Sequence, residues 1–202
     1  LSFRYDAGRE EALRGVSLHV PAGSVLGLVG ANGSGKSTLA SLIPRLFDVP
    51  DGQLFLDGVD VNRIPLRTLR SHIAMVPQDA FLFSMSLAEN VAYGLPEAEP
   101  GRVHEAAERA QLAKDVAELP DAYDTLVGER GVMLSGGQRQ RTALARALAL
   151  RPSILILDDT LSSVDTETEA AIRRNLREVF EGRTVIVISH RVASVRDADQ
   201  VI

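Results

Sequence analysis

The 202-residue chain contains no cysteine. This excludes disulfides, thiol nucleophiles and cysteine-based zinc sites together, and leaves the redox compartment open. An excess of basic residues is missing as well: 22 Lys and Arg stand against 27 Asp and Glu, a formal charge of −5. That balance excludes a domain whose whole surface binds nucleic acid, although a local basic stripe would survive it. No apolar run approaches the ~18 residues of a membrane span, and the N-terminus carries no charged-then-apolar leader, so the chain reads as soluble. Low-complexity stretches and internal repeats are lacking too. There is no initiator Met, and Gln200-Val201-Ile202 reads as a strand cut short, so a segment of a longer protein is expected. What is present is ordinary for a globular domain: 24% charged and 45% hydrophobic residues, in a length that holds one sizeable core.

Short apolar runs bounded by turn residues predict strands over 16–20 and 25–29, joined by the turn Pro21-Ala22-Gly23. A Gly- and Ser-rich loop follows Gly30, and a helix is predicted from about Lys36 to Phe47. Gln53 to Leu56, Asp57-Gly58 and Val59 to Val61 read as a hairpin, and Ile73 to Val76 as a strand ended by Pro77. From about Asp79 to Arg151 strand signals vanish. Helical spacing runs through Val103, Ala106, Ala107, Ala110, Ala113 and Val116, and a second helix spans 138–150. Ile154 to Leu157 and Val185 to Ile188 then read as buried parallel strands, separated by an amphipathic helix marked by Ile172, Leu176, Val179 and Phe180. The order is mixed sheet, helical insert, parallel sheet, which is an α/β class.

Gly30-Ala31-Asn32-Gly33-Ser34-Gly35-Lys36-Ser37-Thr38 fits G-x-x-x-x-G-K-[ST] between a buried strand and a helix. Glycines let consecutive N–H groups converge on phosphate oxygens, and the helix start points its positive dipole end at the same anion. Lys36 supplies a full charge to the β- and γ-phosphates, and the Ser37 hydroxyl suits Mg²⁺. The four fixed positions would match by chance in roughly 1% of chains this long. Asp158, at the end of the apolar strand Ile154-Leu155-Ile156-Leu157, is placed to hold Mg²⁺. The cradle fits any P-loop NTPase, and Asp159 follows at the position where ATPases of that kind usually keep a Glu as general base. It is shorter by one carbon–carbon bond, about 1.5 Å, and a displacement of order 1 Å costs roughly 10²-fold in rate. Slow hydrolysis is expected.

Leu134-Ser135-Gly136-Gly137-Gln138 precedes the 138–150 helix, with Ser135 as N-cap and the two glycines leaving the helix N-terminus bare. A second anion site is superfluous in a monomer and makes sense if two such domains meet head to tail.

On these residues the whole chain resembles the nucleotide-binding domain of ABC transporters, in which LSGGQ is the signature motif. The resemblance implies the ABC ATPase fold: a P-loop NTPase (RecA-like) core with a mixed and parallel sheet, an antiparallel β subdomain and an inserted helical subdomain. Core and β subdomain would be 1–77 and 152–202, and the helical subdomain 78–151. It further implies ATP and Mg²⁺ as ligands, with the cradle Gly30, Asn32, Gly33, Ser34, Gly35, Lys36, Ser37 and Thr38. Tyr5 would stack on adenine. Gln78 would contact Mg²⁺ and the attacking water, and His190 the γ-phosphate. Ser135, Gly136, Gly137, Gln138 and, from the Ser162-Ser163-Val164-Asp165 loop, Asp165 would act in trans on a partner's nucleotide.

Residues 77–84, Glu89-Asn90-Val91 and Thr125-Leu126-Val127-Gly128-Glu129-Arg130-Gly131 look like the exporter branch, with Leu126 where Glu is usual. Exposed Phe81, Leu82 and Phe83 would then fit a groove for the coupling helices of a transmembrane domain upstream. Asp159 beside an intact LSGGQ resembles the degenerate half of a heterodimeric exporter, working at the cytoplasmic face of the inner membrane with a different chain as partner. Nucleic acid is not expected as a partner, because Arg139, Arg141, Arg146 and Arg151 read as a solvated helix face. The alternatives are a soluble ABC-type ATPase acting on ribosomes or DNA, and a regulatory nucleotide binder that never hydrolyses.

Overall fold

A computed structural model describes residues 1–5, 10–97, 99–128 and 131–202. Along the chain come β1 (Val25–Val29), α1 (Lys36–Leu42), β2 (Phe55–Leu56), β3 (Val59–Asp60), α2 (Leu66–Ser71) and β4 (Ile73–Val76). They are followed by β5 (Met85–Ser86), α3 (Leu87–Ala92), α4 (Pro100–Arg109), α5 (Ala113–Val116), β6 (Leu126–Val127) and α6 (Gly136–Ala149). The last are β7 (Ile154–Asp158), α7 (Thr166–Phe180), β8 (Thr184–Ser189) and β9 (Gln200–Val201). The chain divides into two compact units: unit one holds residues 1–73, 153–158 and 182–202, and unit two holds 74–152 and 159–181. The expected helical insert 78–151 falls within unit two, which also takes in α7.

In unit one, β7, β8, β1 and β9 lie side by side in that order and run parallel. The runs Ile154–Leu157 and Val185–Ile188 are apolar because both faces of such strands are covered. Register places Val29 opposite Ser189, and Asp158 opposite Ile188, so the three strands end flush at one edge. A second apolar cluster of Phe3, Leu13, Leu42, Val49 and Val61 seats α1. Asp57 and Gly58 both take positive φ, 48° and 77°, which is the geometry a two-residue hairpin turn demands, and β2 pairs antiparallel with β3 as the sequence predicts.

Three expectations for secondary structure are corrected. Residues 16–20 form no strand: Val16 exchanges hydrogen bonds with Leu1, but no ladder follows, and Leu18 faces solvent. The helix from Lys36 stops at Leu42 rather than near Phe47. Pro44 has no N–H to continue it, and Arg45 turns left-handed (φ 52°) while its N–H reaches Leu42 O and that of Leu46 reaches Ser41 O. The helix over 103–116 is broken in the same way, with Gln111 at φ 55° and bonds from Gln111 N to Glu108 O and from Leu112 N to Ala107 O.

Unit two is built around α6, whose buried face is mostly small, with Ala143, Ala145, Ala147 and Ala149 beside Leu144 and Leu148. It packs against α3 and α4, and α4 also meets α7. Residues 79–151 do contain strands, contrary to the sequence reading: β5 and β6 pair antiparallel, Met85 with Val127 and Ser86 with Leu126. Two residues per strand are too few to show alternation. Ser86 starts α3 with a reciprocal cap, its hydroxyl accepting from Glu89 N while the Glu89 carboxylate accepts from Ser86 N.

Candidate functional site

In unit one, β1 delivers the chain into the 30–35 loop at the flush strand edge, where open α/β sheets place their ligands. Gly33 and Gly35 take φ of 79° and 93°, which side chains rarely adopt. A Cβ on Gly30 would stand 2.9 Å from Ser34 Oγ, and one on Gly35 would stand 2.8 Å from Ala12 O. There is thus no room for a side chain at Gly30 or Gly35, whereas Gly33 is required by its backbone angle alone. Lys36 curls back over it, its Nζ donating to Gly30 O (2.9 Å), Ala31 O (2.8 Å) and Ser34 Oγ (3.2 Å). An ammonium held on carbonyls at the rim of a glycine loop suits an anionic oxygen arriving there. Asn32 and Ser37 are exposed beside it.

Asp158 is buried at the end of β7, and His190 follows β8 directly and is exposed. Among the described residues no three His, Cys, Asp or Glu side chains cluster to hold a metal by themselves. One hydroxyl and one carboxylate, Ser37 and Asp158, fit Mg²⁺, an ion that takes few protein ligands and leans on substrate phosphates and water.

Tyr5 stands edge-on to Phe3 and Phe47, with ring centroids 5.1 and 5.0 Å away, and its hydroxyl shares a 2.8 Å hydrogen bond with Thr38 Oγ1. The residue nevertheless remains 47% exposed. The sequence reading missed the Thr38 link, because nothing in spacing joins residues 33 apart. It also missed Gly27, where a Cβ would lie 2.6 Å from Val195 Cβ. Val195 ends the short helical turn Val192–Ser194 that follows His190, so that turn is seated in the middle of β1.

In unit two, Ser135 caps α6 as expected, accepting from Gln138 N at 3.2 Å while Gln138 Oε1 accepts from Ser135 N at 2.9 Å. Both side chains thus face the helix, and the backbone of Gly136 and Gly137 forms its bare first turn. Asp165 caps α7 through Thr168 N, and this hydrogen bond holds its carboxyl below the usual range. Asp159 takes a left-handed backbone, φ 43°, which Asp tolerates better than most residues. Gln78 is exposed after β4.

The exposed aromatic stripe is corrected. Phe81 is 65% exposed, but Leu82 is buried, and Phe83 stacks on Tyr93 at 4.2 Å. The expected solvated arginine face holds only in part: Arg139 and Arg151 are exposed, whereas Arg141 and Arg146 are half-buried in internal bonds. Arg146 donates to Asn90 O (2.8 Å), Asn90 Oδ1 (2.9 Å) and Phe81 O (3.0 Å), with its guanidinium 5.5 Å from the Phe83 ring centre. Burial lowers its pKa. Arg141 forms a two-pronged pair with Asp115 at 2.8 Å, Arg139 bonds Leu134 O, and Arg151 bonds Glu105. Leu126 is exposed, whereas Glu129 and Arg130 of the exporter-like element lie outside the described residues.

The family model described as ABC transporter matches residues 13–162. The chain is 49% identical over 200 residues to an ATP-dependent lipid A-core flippase of Aromatoleum aromaticum, covering 98% of this chain and 33% of that protein. It is 46% identical over 202 residues to the cyclolysin secretion/processing ATP-binding protein CyaB of Bordetella pertussis, covering all of this chain and 28% of that one. A solved structure of a bacterial Atm1-family ABC exporter with ATP bound superposes with a TM-score of 0.94 at 43% identity, over all of this chain and 35% of the other. The chain spans about a third of the length of the curated relatives it matches. The fold is the ABC ATPase fold, and the chain belongs to the ATP-binding domains of ABC transporters, close to those of exporters.

Proposed function

We propose that this domain binds MgATP on unit one and hydrolyses it as the motor of a membrane exporter. The observation that carries the reading is the flush strand edge, where the glycine loop with Lys36, the buried Asp158 and His190 emerge from three neighbouring parallel strands. Lys36 exchanges its loop carbonyls for β- and γ-phosphate oxygens, and the N–H groups of 33–38 complete the cradle. Tyr5, half exposed, would stack on adenine by resemblance, steadied by Phe3, Phe47 and Thr38. Ser37 and Asp158 would hold Mg²⁺, with Gln78 added by resemblance; the ion, when bound, neutralises charge building on the phosphates. His190 takes the γ-phosphate by the same resemblance.

The bare turn of Gly136 and Gly137, with Ser135, Gln138 and Asp165 around it, acts on a nucleotide held by a second such domain. Binding of ATP draws the two domains together, closure passes to membrane helices, and hydrolysis resets the pair. Membership in the exporter-like group supports a transmembrane partner at a membrane surface. The internal bonds of Arg141 and Arg146 take two of the four cations out of a basic stripe, which supports a reading without nucleic acid.

Asp159 makes this chain's own site slow, and a partner chain with Glu at that position would carry most of the turnover. In the assembled transporter Asp159→Glu is expected to raise single-turnover hydrolysis at this site about tenfold or more. An unchanged rate would show that carboxylate reach does not limit the site. Failure of the wild-type domain to bind MgATP would sink the whole reading.

A further inference from the structure

Gln140 stands on α6 one turn past Gly136 and Gly137, with only 4% of its surface exposed. An amide buried so deeply needs partners for both its oxygen and its nitrogen. Both lie on one loop of unit two. Oε1 accepts from Ser163 N at 3.0 Å, and Nε2 donates to Ser162 Oγ at 3.1 Å. The glycines meet the same loop. A Cβ on Gly137 would stand 3.0 Å from Ser163 O, and one on Gly136 would stand 3.5 Å from Ser163 Cβ. The loop's far end is fixed by the Asp165 cap on α7. Two hydrogen bonds from the buried amide and a close backbone approach thus seat the exposed Ser162 and Ser163 on the first turn of α6, although the two segments lie more than twenty residues apart in sequence.

We infer that Gln140 is a positioning residue that joins the LSGGQ turn and the Ser162–Asp165 loop into one rigid body. Its geometry stands within unit two alone; its consequence for turnover rests on the proposed function. Both segments then reach a partner's nucleotide in fixed register, and neither can shift without the other. The arrangement gives Gly137 a second reason to lack a side chain: a methyl group there would press on the Ser163 carbonyl from within the same domain.

The test uses the full-length protein assembled with its partner, with two readouts. Gln140→Met keeps the length and loses both hydrogen bonds. Amide hydrogen exchange at Ser163 is expected to accelerate about tenfold while amides 143–149 of α6 keep their rates. Ser162→Ala, which removes one bond only, should give a smaller change in the same place. Gln140→Glu retains an acceptor for Ser163 N, and the Ser162 hydroxyl can turn to donate to it, so exchange should return toward wild type. For MgATP hydrolysis, Gln140→Met is expected to lower kcat about tenfold and move KM less than about threefold, since Gln140 acts through the loop.

Unchanged exchange at Ser163 in Gln140→Met, or Gln140→Glu behaving as Gln140→Met does, overturns the clamp. Faster exchange with an unaltered kcat overturns its link to the reaction. If Gln140→Met fails to fold, Ser162→Ala and Gln140→Glu decide the same question. A wild-type assembly without ATPase activity would refute the proposed function instead, and the exchange readout would still judge the clamp.

Discussion

Lys36 in unit one and Arg146 in unit two are both cations bonded to three protein oxygens, yet their settings differ. The oxygens around Lys36 belong to the loop that presents it, and the side chain keeps contact with water. Those around Arg146 come from Phe81 and from Asn90, which is itself fully buried and bonded to Phe83 N and Phe83 O. A phosphate can replace loop carbonyls at an open rim. Nothing can replace the backbone and amide oxygens of a packed element without unfolding it. The same charge is thus available for chemistry in one unit and committed to architecture in the other.

The sharpest way to break this comparison is to remove each cation. Lys36→Ala should abolish measurable ATP turnover, a loss of at least about 10²-fold, while the urea midpoint of the domain moves little. Arg146→Met should do the opposite. Asn90 O and Phe81 O lose the arginine donor and Asn90 Oδ1 keeps only Phe83 N, so unfolding free energy falls by about 2 kcal/mol. MgATP affinity at the Lys36 cradle, read by calorimetry on protein still folded, should stay within about twofold. Arg146→Lys should recover little of the stability, because an ammonium lacks the planar fork that spans Asn90 and Phe81. A large loss of affinity in either Arg146 variant would erase the contrast.

The smallest effect expected is on pH dependence. Glu89, Glu105 and Asp165 in unit two have lowered pKa values, caused first by hydrogen bonds from Ser86 N, Arg151 and Thr168 N respectively. In unit one Asp60 is lowered by hydrogen bonds from Asn62 N and Gly52 N. A carboxyl with a depressed folded-state pKa adds stability that is complete above its unfolded value and disappears as pH falls through the folded value. All four therefore stabilise the protein at neutral pH, and that contribution fades below the ordinary 3.8 and 4.5 of Asp and Glu. Between pH 5 and pH 3, amide protection relative to the intrinsic exchange rate should fall in both units, with more sites affected in unit two. Equal protection across that range would count against it.

The placement of the candidate site in unit one was legible in the sequence, since a phosphate loop needs particular residues at fixed spacing and Gly30 to Thr38, Asp158 and His190 follow their strands as the apolar pattern predicts. The helix stops were not, since Arg45 and Gln111 adopt the left-handed turn that glycine usually announces. Neither was the role of Arg146: periodicity places it on a face of α6 but says nothing of where a long side chain bends. Leu82 was read as exposed because apolar character alone does not reveal which of three neighbours turns inward. Partnerships between distant segments, such as Tyr5 with Thr38 or Gln140 with Ser163, leave no trace in local pattern.

Gly27 shows how much can depend on a missing methyl group. Val195 fills the hollow above it, five positions after His190, and so tethers the stretch carrying that imidazole to the strand that feeds the phosphate loop. Alanine there would lift the tether by roughly a carbon's width and carry His190 with it, while the glycine loop keeps its own closure. If His190 reads the terminal phosphate as proposed, turnover would drift before affinity did.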